Sequence, residues 1–433
     1  MKKLAYIIMF LSAIVLASCK DDGDDSPAIN AVSITVSAEG ETVPDGTTVT
    51  LTDKATSTVY TATTTSGITT FNVIAGVYEA TATITKEAFI YNGTATVTVT
   101  DNTDNTASLN LLKSTTSQII IKELYVGGCM DNDGAKWFQN DAYVILYNNS
   151  SMEADASNIC FGMVHPTNSN ATSYYMQNGE LTYTDYLPCW NAIWWFKTGT
   201  EVKIPAYSQI LISIKGAIDN TATYSNSVDL SKADYAMYDP DVFTNAKVYP
   251  TPDASIPTSN YLETYLYAMG NAWPISTSSP AFVLISPENT TMSDFVTTAS
   301  NIENAGSSKA FACAKVPLSW IVDGVEVFDI ANLAKSNKRL LSSVDAGYVK
   351  YVNKLGYTIY RNVDKEATEA LAENEGKLVT GYAGGTDDVE NGSTDPSGID
   401  AEASIANGAH IIYMDTNNST NDFHMRKVAS IKE

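Results

Sequence analysis

Val32-Ser33-Ile34-Thr35-Val36, Val49-Thr50-Leu51, Phe71-Asn72-Val73 and Val97-Thr98-Val99 place an apolar side chain at every second position, with Ser, Thr or Asn between. A period of two puts alternate side chains on opposite faces of an extended chain, so each segment predicts a strand with one buried face. Pro44-Asp45-Gly46, Ser66-Gly67 and Asn92-Gly93 separate them as predicted turns. No helical period interrupts this stretch, and residues 31–113 are predicted to form a small β-sandwich. Working outward, Lys113 to Ser117 is a short polar joint, and Ile119-Ile120-Ile121-Lys122-Glu123-Leu124-Tyr125-Val126 opens a second β unit over 114–433. Its further predicted strands are at 143–147, 209–214, 281–285, 322–328 and 357–361. Residues 165–200 and 220–280 are expected as insertions over one end of the second sandwich. Tyr261 to Met269 is predicted as a short helix and Asp329 to Ser343 as an amphipathic helix. Gly-, Asp- and Ser-rich residues 380–400 are predicted as a flexible loop. The fold class is mainly β: two immunoglobulin-like β-sandwich units, the second larger, with loop and short-helix insertions.

Upstream, residues 1–18 carry Lys2 and Lys3 and then an apolar run from Leu4 to Ala17. That run is too short to span a bilayer core of about 30 Å and predicts a signal peptide. Leu16-Ala17-Ser18-Cys19 resembles a bacterial lipobox, which makes Cys19 the predicted lipid-attachment residue. Residues 19–30, beginning Lys20-Asp21-Asp22-Gly23-Asp24-Asp25, form an acidic tether. A Cys-Lys-Asp-Asp start resembles the export signal of Bacteroidetes surface lipoproteins. The expected location is the outer membrane, lipid-anchored and exposed at the cell surface, with the lipid as the only membrane contact.

The chain has 433 residues and a formal net charge of −23, and its Arg occurs only at 339, 361 and 426. With no basic stripe, nucleic acid is excluded as an expected partner. Cys129, Cys160, Cys189 and Cys313 match no zinc spacing; they allow three disulfide connectivities, with free buried thiols as the alternative.

Three resemblances follow from longer motifs. Asp45-Gly46-Thr47-Thr48-Val49-Thr50-Leu51-Thr52-Asp53, with Thr64-Thr65-Ser66-Gly67 through Phe71, Val73, Gly76 and Tyr78, resembles carboxypeptidase regulatory-like domains. That implies a spacer or interaction module in which the Gly makes a turn and the Tyr packs the next strand. Ile120-Ile121-x-Glu123-x-Tyr125, Val144 to Ser150 and Ile204 to Ser213 resemble the lamin-tail domain, with Tyr207 and Ile145 replacing its usual Gly and Glu. Asp229-Leu230-Ser231 through Asp239, with Asp415 to Phe423, resembles an uncharacterised family of Bacteroidetes lipoproteins carrying a domain of unknown function. That last resemblance implies an accessory to a TonB-dependent outer-membrane receptor.

His165, His410 and His424 sit in no metalloprotease pattern, and no nucleophile elbow or phosphate loop is present. His410 is expected at a strand edge in a structural role and His424 at the surface. Asp131-Asn132-Asp133-Gly134 resembles the start of a calcium loop, but Ala142 stands where its Glu belongs; Asp415 and Asp422 are the other weak calcium candidates. Tyr174, Tyr175, Trp190, Trp194 and Trp195 are the candidate ligand contacts, since clustered aromatics concentrate binding energy, against the alternative of a mini-core. No cofactor is expected. The expected function is a non-catalytic surface lipoprotein binding a ligand or partner protein. An adhesin or structural surface protein, and a calcium-supported exported hydrolase, are the alternatives.

Overall fold

The computed structural model describes residues 27–86, 89–115 and 117–432. The signal peptide, Cys19 and most of the acidic tether lie outside the described residues. In the first unit, β1 (Ile29–Ala38), β2 (Thr48–Asp53), β3 (Val59–Thr63), β4 (Ile68–Ile74), β5 (Gly76–Lys86), β6 (Phe89–Val99) and β7 (Asn105–Thr115) make a sheet of order β3-β2-β5-β6-β7-β1-β4. β7 pairs β6 only near the start of β6 and runs parallel to β1, so the sheet folds over one core. The inward residues are those of the alternating pattern: Val32, Ile34, Val36, Val49, Leu51, Phe71, Val73, Val97 and Val99 are all buried. Tyr78 joins them and donates its hydroxyl proton to the Ile74 carbonyl at 2.9 Å. Ser66 and Gly67 make the tight turn before β4, both with positive φ.

Asn92-Gly93 is no turn. It lies inside β6, and a Cβ at Gly93 would stand 2.3 Å from the Asn110 carbonyl oxygen. The glycine there serves close backbone approach.

The second unit stacks two sheets. One contains β8 (Ile119–Tyr125), β9 (Tyr143–Asn148), β12 (Gln209–Ser213), β13 (Tyr235–Ala236), β20 (Thr358–Arg361) and β21 (Phe423–Arg426), in the order β13-β12-β9-β8-β20-β21. The other contains β10 (Cys160–Val164), β11 (Tyr186–Trp195), β14 (Glu263–Leu266), β15 (Ala281–Ile285), β16 (Ile302–Asn304), β17 (Ala312–Pro317), β18 (Ile321–Asp329) and β19 (Val349–Tyr351). Its order is β16-β17-β11-β10-β15-β18-β19, with β14 also on β11. Leu124, Val144, Leu146, Phe161, Trp194, Phe282, Leu284, Val325 and Met425 form the core between them. Each sheet is also covered on its outer face. That is why β8, β9, β10 and β15 are buried at every position and read as mainly apolar runs, with Lys122 and Glu123 of β8 buried among them.

Several local expectations are corrected. Residues 165–200 are only partly an insertion, because β11 is central to the larger sheet. Residues 220–280 supply Phe243, Tyr249 and Trp273 to its core. Within 261–269 the chain extends as β14, since Leu262 and Thr264 bury on one face and β11 takes the backbone bonds. Residues 329–343 hold only a kinked 3-10 segment, Ile330–Lys335. Beyond it, the buried Glu326 carboxylate accepts the backbone N–H groups of Arg339 and Leu340, each at 2.9 Å, which a continuing helix would have kept. Residues 380–400 are closed by pairing of Val379–Thr380 with Ile399–Asp400, and Val389 and Asp395 are buried within them. All four described cysteines are free buried thiols, so none of the three disulfide connectivities is formed.

The two units dock through polar contacts. The Asn92 carboxamide donates to the carbonyls of Thr416 and Asn417, Thr94 bonds Ser342 at 2.8 Å, and the Ser117 N–H donates to Asp415 at 2.9 Å. Asn92 is fully buried there. Replacing it with Ala leaves two buried carbonyls without this donor, so Asn92→Ala is expected to lower stability by about 1–3 kcal/mol. Urea unfolding checks the loss.

Candidate functional site

The three Arg of this acidic chain are all buried. Arg361 on β20 donates from Nε to the Ile121 carbonyl at 2.7 Å and from Nη1 to the Met414 carbonyl at 2.8 Å. Its Nη2 meets Asp323 at 2.5 Å, and Nη1 lies 3.4 Å from Asp415 and 3.8 Å from Asp422. One guanidinium cannot balance three buried carboxylates, so burial pushes Asp422 up to about 7 despite Arg361. Arg339 pairs with Glu326 at 2.7 Å and donates to the carbonyls of Pro166, Thr167 and Ser279.

Two of the calcium candidates take part in these pairs. Asp415 and Asp422 face Arg361, and Asp422 also accepts the N–H groups of Thr416 and Asn418. Asp131 accepts the Ala135 N–H at 2.7 Å within its own turn, next to Asp133. Among the described residues no cluster of three or more His, Cys, Asp or Glu could hold a metal.

His424 is buried rather than superficial. Its Nδ1 lies 2.7 Å from Asn362 Oδ1 and its Nε2 2.7 Å from the Tyr382 hydroxyl, and burial beside Arg426 pushes its pKa down to about 3. His410 stands exposed, stacked on Tyr207 with ring centroids 4.7 Å apart and 3.4 Å from Glu373. Tyr207 holds φ +50 in the turn where the lamin-tail pattern has Gly.

The candidate aromatic contacts divide. Trp194 is wholly inside the core between the sheets; Trp195 and Tyr175 are buried on the other face of β11. Tyr174 is 50% exposed, and Trp190, partly buried, bonds the Ala310 carbonyl. Together with Phe311, these two and Tyr175 surround the buried His165, at ring-centroid distances of 5.8–6.0 Å. Desolvation, with Arg339 nearby, pushes the His165 pKa down to about 4.

A concavity lined by residues of both units lies elsewhere. A groove of about 510 Å³ runs between the outward threonines of β2 and β5 (Thr48, Thr50, Thr81) and Tyr348, Asn391 and Asn421 of the second unit. A second groove, of about 500 Å³, shares Glu79 and Tyr348 with it and extends to Met176. Tyr348 is stacked on Phe328 at 4.2 Å, which holds its ring between the two. In the sequence these threonines fill the polar half of the strand alternation, where nothing local marks them as a binding surface. A run of hydroxyls on one strand face was the available signal.

Residues 206–380 match the family described as "Protein of unknown function (DUF4876)". The match takes in Asp323, Arg339, Tyr348 and Arg361. The fold is similar to that of a DUF4876 family protein from Bacteroides thetaiotaomicron VPI-5482, with 20% identity and a TM-score of 0.51 over 91% of this chain and 94% of that one. The Bacillus anthracis TIE protein overlaps 43% of this chain and 26% of its own length, at 13% identity and a TM-score of 0.17. No curated protein matches the chain.

The buried titrations give opposite pH signatures. Asp422 moves from 3.8 to about 7 on folding, so its contribution is complete below about pH 4 and is lost as pH rises through 7. His424 moves from 6.5 to about 3, so its contribution is present above pH 6.5 and is lost as pH falls toward 3. Thermal melts across pH 4–8 are expected to show Asp422→Asn removing part of the loss on the neutral side and His424→Gln part of the loss on the acid side.

Proposed function

We propose that this protein is a non-catalytic lipoprotein of the bacterial outer surface, anchored through Cys19. In this reading the regulatory-like first unit holds the lamin-tail-like second unit away from the membrane. The protein binds a ligand or partner between them as accessory to a TonB-dependent transporter. The groove between the units carries this reading. Ligand sites favour inter-domain clefts, where two rigid walls give concavity without unfolding either one. Hydroxyl and carboxamide walls, one fixed aromatic ring and the carboxylates Glu79 and Glu390 suit an uncharged polar ligand, and the chain's net charge disfavours an anionic one. His424 is committed to Asn362 and Tyr382, and Glu326 to Arg339, away from the groove.

Pull-down from intact cells with tagged full-length protein tests the role. Recovery of one TonB-dependent receptor by the wild type, with less recovered by the groove-filling variant Thr81→Trp, is the expected result. Equal recovery by both would remove the groove from the interface; recovery of nothing, together with hydrolytic activity, would overturn the reading. Cys19→Ser is expected to move the protein from the membrane to the soluble fraction, because durable anchoring needs the acyl chains at about 0.8 kcal/mol per buried CH₂.

A further inference from the structure

Lys122 lies on β8 with no solvent exposure of its side chain. Opposite it, the pairing of β8 with β9 slips by one residue: Ile121 faces Leu146 and Glu123 faces Ile145, leaving Lys122 as the extra residue of a bulge. The bulge sends its side chain among the rings of Tyr147, Tyr360 and Tyr413, at 5.5–5.9 Å from Nζ. Two groups meet the amine there. Glu402 Oε1 stands 2.6 Å from Nζ and also accepts the Tyr360 hydroxyl at 2.5 Å. Gln209 Oε1 stands 2.7 Å from Nζ. Gln209 is at the start of β12, paired with Tyr147, so it belongs to a strand that is not the neighbour of β8.

A buried ion pair needs no carboxamide. Here an amine, a carboxylate and a carboxamide are gathered at one point. The amine and carboxylate are inside and the carboxamide is at the surface. We propose that Lys122 and Gln209 join in an intramolecular amide bond, with Glu402 as the proton acceptor and donor. Glu402 takes a proton from the Lys122 ammonium group, and the free amine attacks Gln209 Cδ. The new C–N bond forms as the bond from Cδ to the carboxamide nitrogen breaks. The nitrogen leaves as an ammonium ion, carrying both protons that the Lys122 nitrogen gives up through Glu402, which returns to its carboxylate form. No oxidant or other reactant is consumed. Fixed juxtaposition supplies the effective concentration that amines and amides lack in solution, and the carboxylate supplies general base catalysis. The exposed position of Gln209 gives the ammonia an exit to solvent. The product is a covalent tie from β8 to β12 across β9. It holds the smaller sheet of a surface protein without a disulfide.

Peptide mapping of the full chain by mass spectrometry tests the bond. The expected result is no tryptic cleavage after Lys122 and a joined pair of peptides containing Lys122 and Gln209, lighter than their sum by one ammonia. Gln209→Ala, at the surface and outside the buried ion pair, is expected to restore cleavage and abolish the joined species. Glu402→Gln is expected to do the same while Gln209 is intact. Complete cleavage after Lys122 and separate peptides of unaltered mass in the wild type would overturn the proposal. A joined species persisting in Glu402→Gln would overturn the assignment of the base.

Discussion

The fold of the second unit depends on placing one guanidinium where water cannot reach it. Arg361 binds the backbone of β8, a carboxylate on β18 of the facing sheet, and the chain at Met414 and Asp415 before the last strand. Asp323 accepts the Ile121 N–H at 2.7 Å while it pairs with Arg361, so β8 is held from both its N–H and its C=O sides. A buried ion cluster of this kind contributes little net stability over an apolar substitute, because desolvation offsets the attraction. Its effect is specificity: alternative registers of β8, β18 or β20 would strand an uncompensated charge.

The same cluster reaches the boundary between the units. Asp415 accepts the N–H of Ser117, in the joint that connects them, and Thr416 and Asn417 receive the Asn92 carboxamide of the first unit. The orientation of the two units is therefore fixed from the buried charges outward. The groove beside Tyr348 follows from that orientation, since its two walls belong to different units. Aromatic residues that looked available for binding are mostly used to thicken the larger sheet. Trp194 and Trp195 project to opposite faces of β11 and fill the cores on either side.

Sequence reading succeeded where one local rule acted alone. On β1 of the first unit one face is buried and the other is polar, and the alternation at Val32, Ile34 and Val36 states this directly. It failed where tertiary contacts replaced local ones. Gly93 marks an approach of two backbones and not a turn. Residues 329–343 lost their helix to the Glu326 carboxylate. His424, two residues before Arg426 and Lys427 begin a polar stretch, is buried because it lies on β21, the edge of the smaller sheet, and residues 380–400 cover that edge through Tyr382.

What the amino-acid sequence determined by itself is the β class, the division near residue 115 and the scarcity of cationic groups, because each depends on composition or on neighbours one or two positions away. Only the tertiary structure decided that all three Arg are internal, that the acidic turn residues Asp415 and Asp422 serve Arg361, and that Lys122 meets Gln209 and Glu402. These pairings join residues far apart along the chain, and charge can be buried only where such distant partners arrive together.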